Sequence, residues 1–202
     1  MMYLLTHSLL SSWLYAMKDN PYADATTESD GYAEFLQALR REPSEQTQAM
    51  RNGIEFEDLV TDIVNGDADT EHKWYEAACK VARIVKGGQL QYKAKKQLTV
   101  SGIKILLYGR LDVLKAGEII DIKFSQSYDR GKYLSSTQHP TYLELIPEAE
   151  KFTYLISNGT EVWTETYRRD ETPDITVIIA SFIEYLKVNG LWELYVKHWT
   201  AL

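Results

Sequence analysis

The sequence predicts a mixed α/β (α+β) domain in which helices come first and a small sheet follows. Three observations carry this expectation. Apolar residues recur at helical spacing through residues 1–88, the period changes to two at Gln89, and turn residues then divide the chain into short runs. With 202 residues, 45% of them hydrophobic and 25% charged, the chain suits one globular domain, 1–202. Its expected parts are a mainly helical region (1–88), a sheet core containing one helix (89–170) and a C-terminal helix (171–202).

Residues 1–19 read as an amphipathic first helix, with apolar spacing clearest over 9–17. No basic residue precedes their Leu-rich part, so a secretory signal is not expected. Further helices are expected over 32–39, around Phe56, Leu59, Val60 and Ile63, and over 71–86, the last ended by Gly87-Gly88. Asp19-Asn20-Pro21 and Glu42-Pro43-Ser44 mark turns or helix starts between them. From Gln89 the runs 89–100, 103–114 and 118–125 read as a three-strand antiparallel meander, divided at Ser101-Gly102 and Ala116-Gly117. A helix is expected over 136–146. Strands over 152–157 and 161–167, joined at Asn158-Gly159, follow it, and the tail 175–199 is helical with a break near Asn189-Gly190.

The formal net charge of -7 argues against a protein that coats nucleic acid through an extended positive field, so any such binding must be local. No run reaches the roughly 18 apolar residues of a membrane span. The one cysteine, Cys79, can form no internal disulfide, and it is expected to be buried and inert; a cytoplasmic setting fits. The stretch from Asn65 to Glu76 has some features of a calcium loop but carries Thr70 where the turn glycine belongs, and it reads as a solvated loop. The four histidines, His7, His72, His139 and His198, show no ligand-like spacing.

The chemistry concentrates in the hairpin from Gly109 to Lys123. A two-residue loop at Ala116-Gly117 would set Asp112 directly opposite Asp121, and opposed like charges are destabilising. Alternation sends Asp121 and Lys123 to one face while Ile120, Ile122 and Phe124 enter the core on the other. Two carboxylates beside an ammonium form the kind of oxygen-rich patch that takes Mg²⁺ or Mn²⁺. The plainer alternative is a solvated charged sheet face.

Gly109-Arg110-Leu111-Asp112 with Asp121-Ile122-Lys123 resembles the second and third motifs of the PD-(D/E)XK nucleases. Gln138-His139-Pro140-Thr141-Tyr142 is similar to the QxxxY motif of their RecB-like branch, which includes phage exonucleases of the lambda type. Gly53-Ile54-Glu55-Phe56-Glu57 is similar to the GxxxE signature of those phage enzymes. The resemblance spans 53–142 and implies a restriction-endonuclease-like αβββαβ core, with a mixed sheet between helices. It implies that Glu57, Asp112, Asp121 and the Ile122 carbonyl hold the metal, that Lys123 orients the attacking water, and that Gln138 and Tyr142 brace the site or touch DNA. On the helical wheel Glu55 and Glu57 are equivalent; the motif spacing selects Glu57. Similar nucleases also pack an N-terminal helix close by, which places His7 near the site.

The expected function is therefore a Mg²⁺- or Mn²⁺-dependent deoxyribonuclease, a phage-type exonuclease of recombination or repair. The alternatives are a low-specificity endonuclease, or a silent DNA-binding or assembly subunit that retains the fold. DNA is the expected partner, with a homo-oligomer or a recombination protein also compatible. Lys93, Lys95, Lys96, Arg110, Arg130 and Lys132 flank the site and are the candidate phosphate contacts.

Overall fold

A computed structural model describes residues 1–19, 30–67 and 69–201. The turn expected at Asn20 and Pro21, and Ala68 within the rejected calcium loop, lie outside the described residues. The strands are β1 (Met2–Thr6), β2 (Gln89–Val100), β3 (Ile103–Lys115), β4 (Glu118–Phe124), β5 (Lys151–Ser157) and β6 (Val162–Arg168). The helices are α1 (His7–Asp19), α2 (Asp30–Leu39), α3 (Gln48–Asn65), α4 (Tyr75–Val85), α5 (Gln138–Leu145), α6 (Ile175–Val188) and α7 (Trp192–Trp199). The fold is α+β, a mixed six-stranded sheet flanked by helices, as the sequence predicts. Among the described residues no single helix is long and apolar enough to cross a membrane.

The two hairpins β2–β3 and β3–β4 close on two-residue turns. Ser101-Gly102 (φ 50° and 75°) and Ala116-Gly117 (φ 47° and 77°) are left-handed at both positions, the geometry whose twist matches the flanking strands. β4 then pairs in parallel with β5, and β6 returns antiparallel to it.

One element differs from the sequence reading. Met2–Thr6 is a strand, parallel to β3 over Lys104–Tyr108, where a helix was expected from the first residue. Five residues are too few to show a period, and Leu4-Leu5 suits either state. Thr6 ends the strand by accepting the Leu9 amide at 3.3 Å, which caps the start of α1. The last of the N-terminal helices also starts later than expected, at Tyr75.

β3 is the hub of the sheet. β2 runs along one of its flanks, while β1 and β4 share the other: β1 occupies Lys104–Tyr108 and β4 only Val113–Lys115. Between them, residues 109–112 have no strand on that side. The sheet therefore forks, and the fork is where the candidate side chains collect.

Apolar clusters cover both faces. On one, Ile105, Leu107, Leu111, Ile119, Tyr154 and Ile156 pack with residues of α1, α2, α5, α6 and α7. On the other, Val113, Ile120, Ile122 and Leu155 pack with Phe56, Leu59 and Val60 of α3 and with α4. Leu111 and Val113 belong to opposite clusters although strict alternation would put them on the same side. The irregularity falls at Asp112, opposite the one gap in the β2–β3 ladder, where Gln91 adopts φ 52°. A strand broken in this way re-aims a side chain, as bulges do.

Candidate functional site

The fork opens into a pocket of about 340 Å³ whose walls include Glu57, Asp112, Asp121, Ile122, Lys123, Gln138 and Tyr142. His7 and Arg110 also line it. Apart from His7 at the start of α1, they arrive on four elements, α3, β3, β4 and α5. Asp121 and Lys123 project from β4 on the face opposite Ile120 and Ile122, which are held in the α3–α4 cluster. Asp112 comes from the break in β3, Glu57 from the middle of α3, and Gln138 and Tyr142 from one face of α5.

The expected register holds only in part. The Ala116-Gly117 loop is as anticipated, but the β3–β4 ladder ends at Val113↔Ile120, so Asp112 and Asp121 are not a paired rung. In place of the next ladder bond, Asp112 Oδ2 accepts the Ile122 amide at 2.8 Å. A carboxylate has thus replaced a backbone carbonyl, which lets the strands part while that N–H stays satisfied.

Asp121 is 2% exposed. The Gln138 amide donates to its Oδ1, and Lys123 Nζ stands 2.7 Å from its Oδ2. That second contact is an ion pair, and among the described residues Oδ2 has no further partner. A buried carboxylate oxygen with capacity left over, facing a pocket, is costly unless something completes it.

The neighbouring groups feel the accumulated charge. Burial, then the Asp121 and Glu57 carboxylates, push Asp112 well above the ordinary carboxylate range, against the pull of the Ile122 amide and Lys123. Burial and Asp121 raise Glu57 as well, against the opposing pull of Arg110 and of Gln91, whose amide donates to it. For Lys123 burial works against the ammonium, but Asp121 and Asp112 outweigh it and hold its pKa above the usual lysine value. Lys123 is therefore a firm cation. His7 goes the other way: burial, then Lys123, lower it to about 3, leaving a neutral imidazole at neutral pH.

The pocket separates the two α3 glutamates that the sequence left equivalent. Glu57 lines it, whereas Glu55 points to another surface, bonded to His72 at 3.0 Å and 3.3 Å from Lys73. α5 is seated by a close approach. A Cβ on Gly109 would lie 2.6 Å from Tyr142 Cε1 and 2.8 Å from Leu145 Cδ1, so only glycine admits this helix against β3. Tyr142 then donates to the Arg110 carbonyl at 3.0 Å, and its ring meets His7 edge-on at 5.2 Å. Thr137, just before α5, donates to the His7 carbonyl at 3.1 Å, which ties α5 to the start of α1.

The candidate phosphate contacts divide. Lys93 and Lys95 lie opposite Arg110 and Tyr108 in the β2–β3 ladder and so share their face, forming an exposed basic flank that leads to Arg110 at the pocket. Lys96 is instead engaged by Glu144 at 2.7 Å. Lys132 borders an adjoining hollow, and exposed Arg130 lines neither. Cys79 is partly exposed on α4, a correction to its expected burial.

Sequence reasoning missed Thr6, Ser8, Gln91 and a supporting group, Glu165. The first two depend on the unforeseen β1, and Gln91 on a single left-handed residue within a strand. Glu165 accepts from the Tyr128 hydroxyl at 2.7 Å, the amides of Gly131 and Tyr133 at 3.2 Å each, and the Tyr167 hydroxyl. It thereby pins the 128–133 loop, whose Tyr133 stacks on Tyr154 at 4.3 Å. An alternating β6 carries no mark of such a role in its sequence.

Among the described residues no three acidic, histidine or cysteine side chains are already closed around a common ion position. Three carboxylates and the Ile122 backbone make the donor set predominantly oxygen, with the neutral His7 imidazole a nitrogen donor on the same wall; this set suits a hard divalent cation and offers no thiolate.

No protein-family model and no curated protein matches the chain. Among solved structures the fold is similar to the crystal structure of SSO0001, with a TM-score of 0.55 at 14% identity, covering 93% of this chain and 78% of that one. At this identity the likeness concerns the fold.

Proposed function

We propose that the protein is a divalent-metal-dependent deoxyribonuclease of the PD-(D/E)XK type, hydrolysing phosphodiester bonds in the pocket at the fork of the sheet. One observation carries the reading: the buried Asp121 carboxylate keeps an incompletely bonded oxygen facing a pocket that also contains Asp112, Glu57 and the Lys123 ammonium. A structural ion pair would need one carboxylate for that lysine. Here three converge, and the repulsion that adds to burial in raising Asp112 and Glu57 is what a bound cation would relieve.

Glu57, Asp112, Asp121 and the Ile122 carbonyl would hold Mg²⁺ or Mn²⁺, which supplies Lewis acidity and a more acidic water. Lys123, kept protonated by its neighbours, acts as a donor that orients the attacking water and offsets charge building on the phosphoryl oxygens. Gln138 fixes Asp121 through Oδ1 and leaves Oδ2 for the reaction side. Tyr142 holds the β3 backbone at Arg110, so that Asp112 keeps its place. Neutral His7 can hydrogen-bond a substrate oxygen without adding charge. Water oxygen bonds to phosphorus and yields a proton to solvent, the bond from phosphorus to the leaving sugar oxygen breaks, and that oxygen takes up a proton from solvent. The basic flank of Lys93, Lys95 and Arg110 steers the strand locally, in keeping with a net charge of -7.

Digestion of end-labelled linear DNA and of circular DNA, with Mg²⁺, Mn²⁺ or chelator, tests the reading and sorts exonuclease from endonuclease action. Cleavage should require the metal and fall at least ~10²-fold in Asp121→Asn and in Lys123→Ala. Undiminished cutting by Asp121→Asn removes the site. Failure of the wild-type chain to cut any DNA leaves the alternative of a silent binding subunit.

A further inference from the structure

Beside the carboxylate pocket lies a larger hollow of about 830 Å³ between α1 and the segment 132–138. Three residues, His7, Lys123 and Gln138, line both, so the two cavities adjoin. Their chemistry differs sharply. The first is acidic, whereas the described walls of the second carry no carboxylate and three ammonium groups, Lys18, Lys123 and Lys132. Lys132 donates only to neutral oxygens, Ser125 Oγ at 2.7 Å and the Ser127 carbonyl at 3.1 Å. Lys18 has no carboxylate partner among the described residues.

Two tyrosine rings stand in the same walls. Tyr15 is 58% exposed and so has a ring face open to the hollow, and Tyr133 is braced from behind by its stack on Tyr154. The Glu165 anchor keeps that second ring and Lys132 in place. In a chain of net negative charge, a local pairing of unneutralised lysines with ring faces is the combination that single-stranded nucleic acid recognises: ammonium for phosphate, ring for base.

We infer that this hollow is a nucleotide subsite for unpaired DNA, receiving the nucleotide that adjoins the scissile phosphate and so making single-stranded DNA the preferred substrate. The inference rests on the nuclease reading, because adjacency to the carboxylate pocket is what aligns the strand. A duplex keeps its bases turned inward and offers Tyr15 and Tyr133 no face to stack on.

The test measures binding, which needs no turnover. A fluorescein-labelled oligothymidylate and a blunt duplex of equal length are titrated by anisotropy into the full chain, in chelator and in Ca²⁺. The single strand should bind at least about tenfold more tightly. Tyr15→Ala with Lys18→Ala should weaken it about fivefold or more and make binding less salt-sensitive, leaving duplex binding unchanged. Lys132→Ala, on a different element, should repeat the weakening and decides the matter should the α1 variant fail to fold. Equal or tighter binding of the duplex, or wild-type affinity in folded variants, overturns the subsite. The two readings fail separately. Single-strand binding that responds to the variants with no Mg²⁺-dependent cutting sinks the nuclease and keeps the subsite, whereas cutting of duplex alone by wild type and variants alike does the reverse.

Discussion

Replacing Gly109 with alanine tests whether the seat of α5 depends on a missing side chain. The new methyl would stand 2.6 and 3.1 Å from two carbons of the Tyr142 ring and 2.8 Å from Leu145, both buried, so ring and leucine must retreat by about an ångström to reach ordinary contact. Overpacking of this kind costs ~1–3 kcal/mol, and the gain from replacing a strand glycine offsets only ~0.5–1 kcal/mol. A net loss of about 1–2 kcal/mol is expected. Equilibrium urea unfolding of wild type, Gly109→Ala, Tyr142→Leu and the double variant measures it. The double variant should be more stable than the sum of the single losses by at least ~0.5 kcal/mol, since trimming the ring makes room for the methyl. Additivity within ~0.3 kcal/mol, or a neutral Gly109→Ala, would show that the close approach is not what positions this helix. The same substitution should depress cleavage more than stability, because Tyr142 and Gln138 move with α5.

Other expectations concern the charges. Mn²⁺ at about 100 times its dissociation constant should stabilise the wild type by ~2.7 kcal/mol, a rise in Tm of roughly 5–11 °C. Asp112→Asn should lose that response; a full metal shift in this variant would place the ion elsewhere. His139 is buried, with its ring stacked on Tyr167 at 4.1 Å, and its pKa is lowered to about 4 by burial, against a smaller opposing effect of Glu165. Its folded pKa lies below the unfolded value of about 6.5, so its contribution is complete above that pH and is lost as pH falls towards 4. Up to ~3 kcal/mol of stability should disappear across that window, and thermal melts of His139→Phe should show a flatter acid limb. Glu165→Gln should raise KM for DNA more than it lowers kcat, because the loop bearing Lys132 and Tyr133 loses charged anchoring; equal effects on both constants would argue against a binding role.

The meander, the Asn158-Gly159 turn and the α5 helix were legible because each announces itself within a few residues, by alternation or by turn chemistry. That Asp121 and Lys123 share a face was legible from the same alternation, whereas Glu57 entered only through the family resemblance, since the helical wheel left it equivalent to Glu55. What could not be read was everything set by contacts between distant segments. β1 is a strand only because β3, a hundred residues on, supplies its partner. Asp112 leaves the expected rung because β3 switches faces, and Gln91 enters the site because one strand residue is left-handed. Glu165 gathers four donors from a loop and its own strand neighbourhood, none of them adjacent in sequence except Tyr167.

The fork in the sheet also ties the width of the carboxylate pocket to strand length. Thr6, by turning the chain from extended to helical, leaves four residues of β3 without a neighbour on that flank; a first strand prolonged by two residues would cover 109 and 110 and halve the gap. The opening is thus a stop signal written in one hydroxyl, and its size can be tuned by moving that stop along the chain without touching any of the acidic side chains.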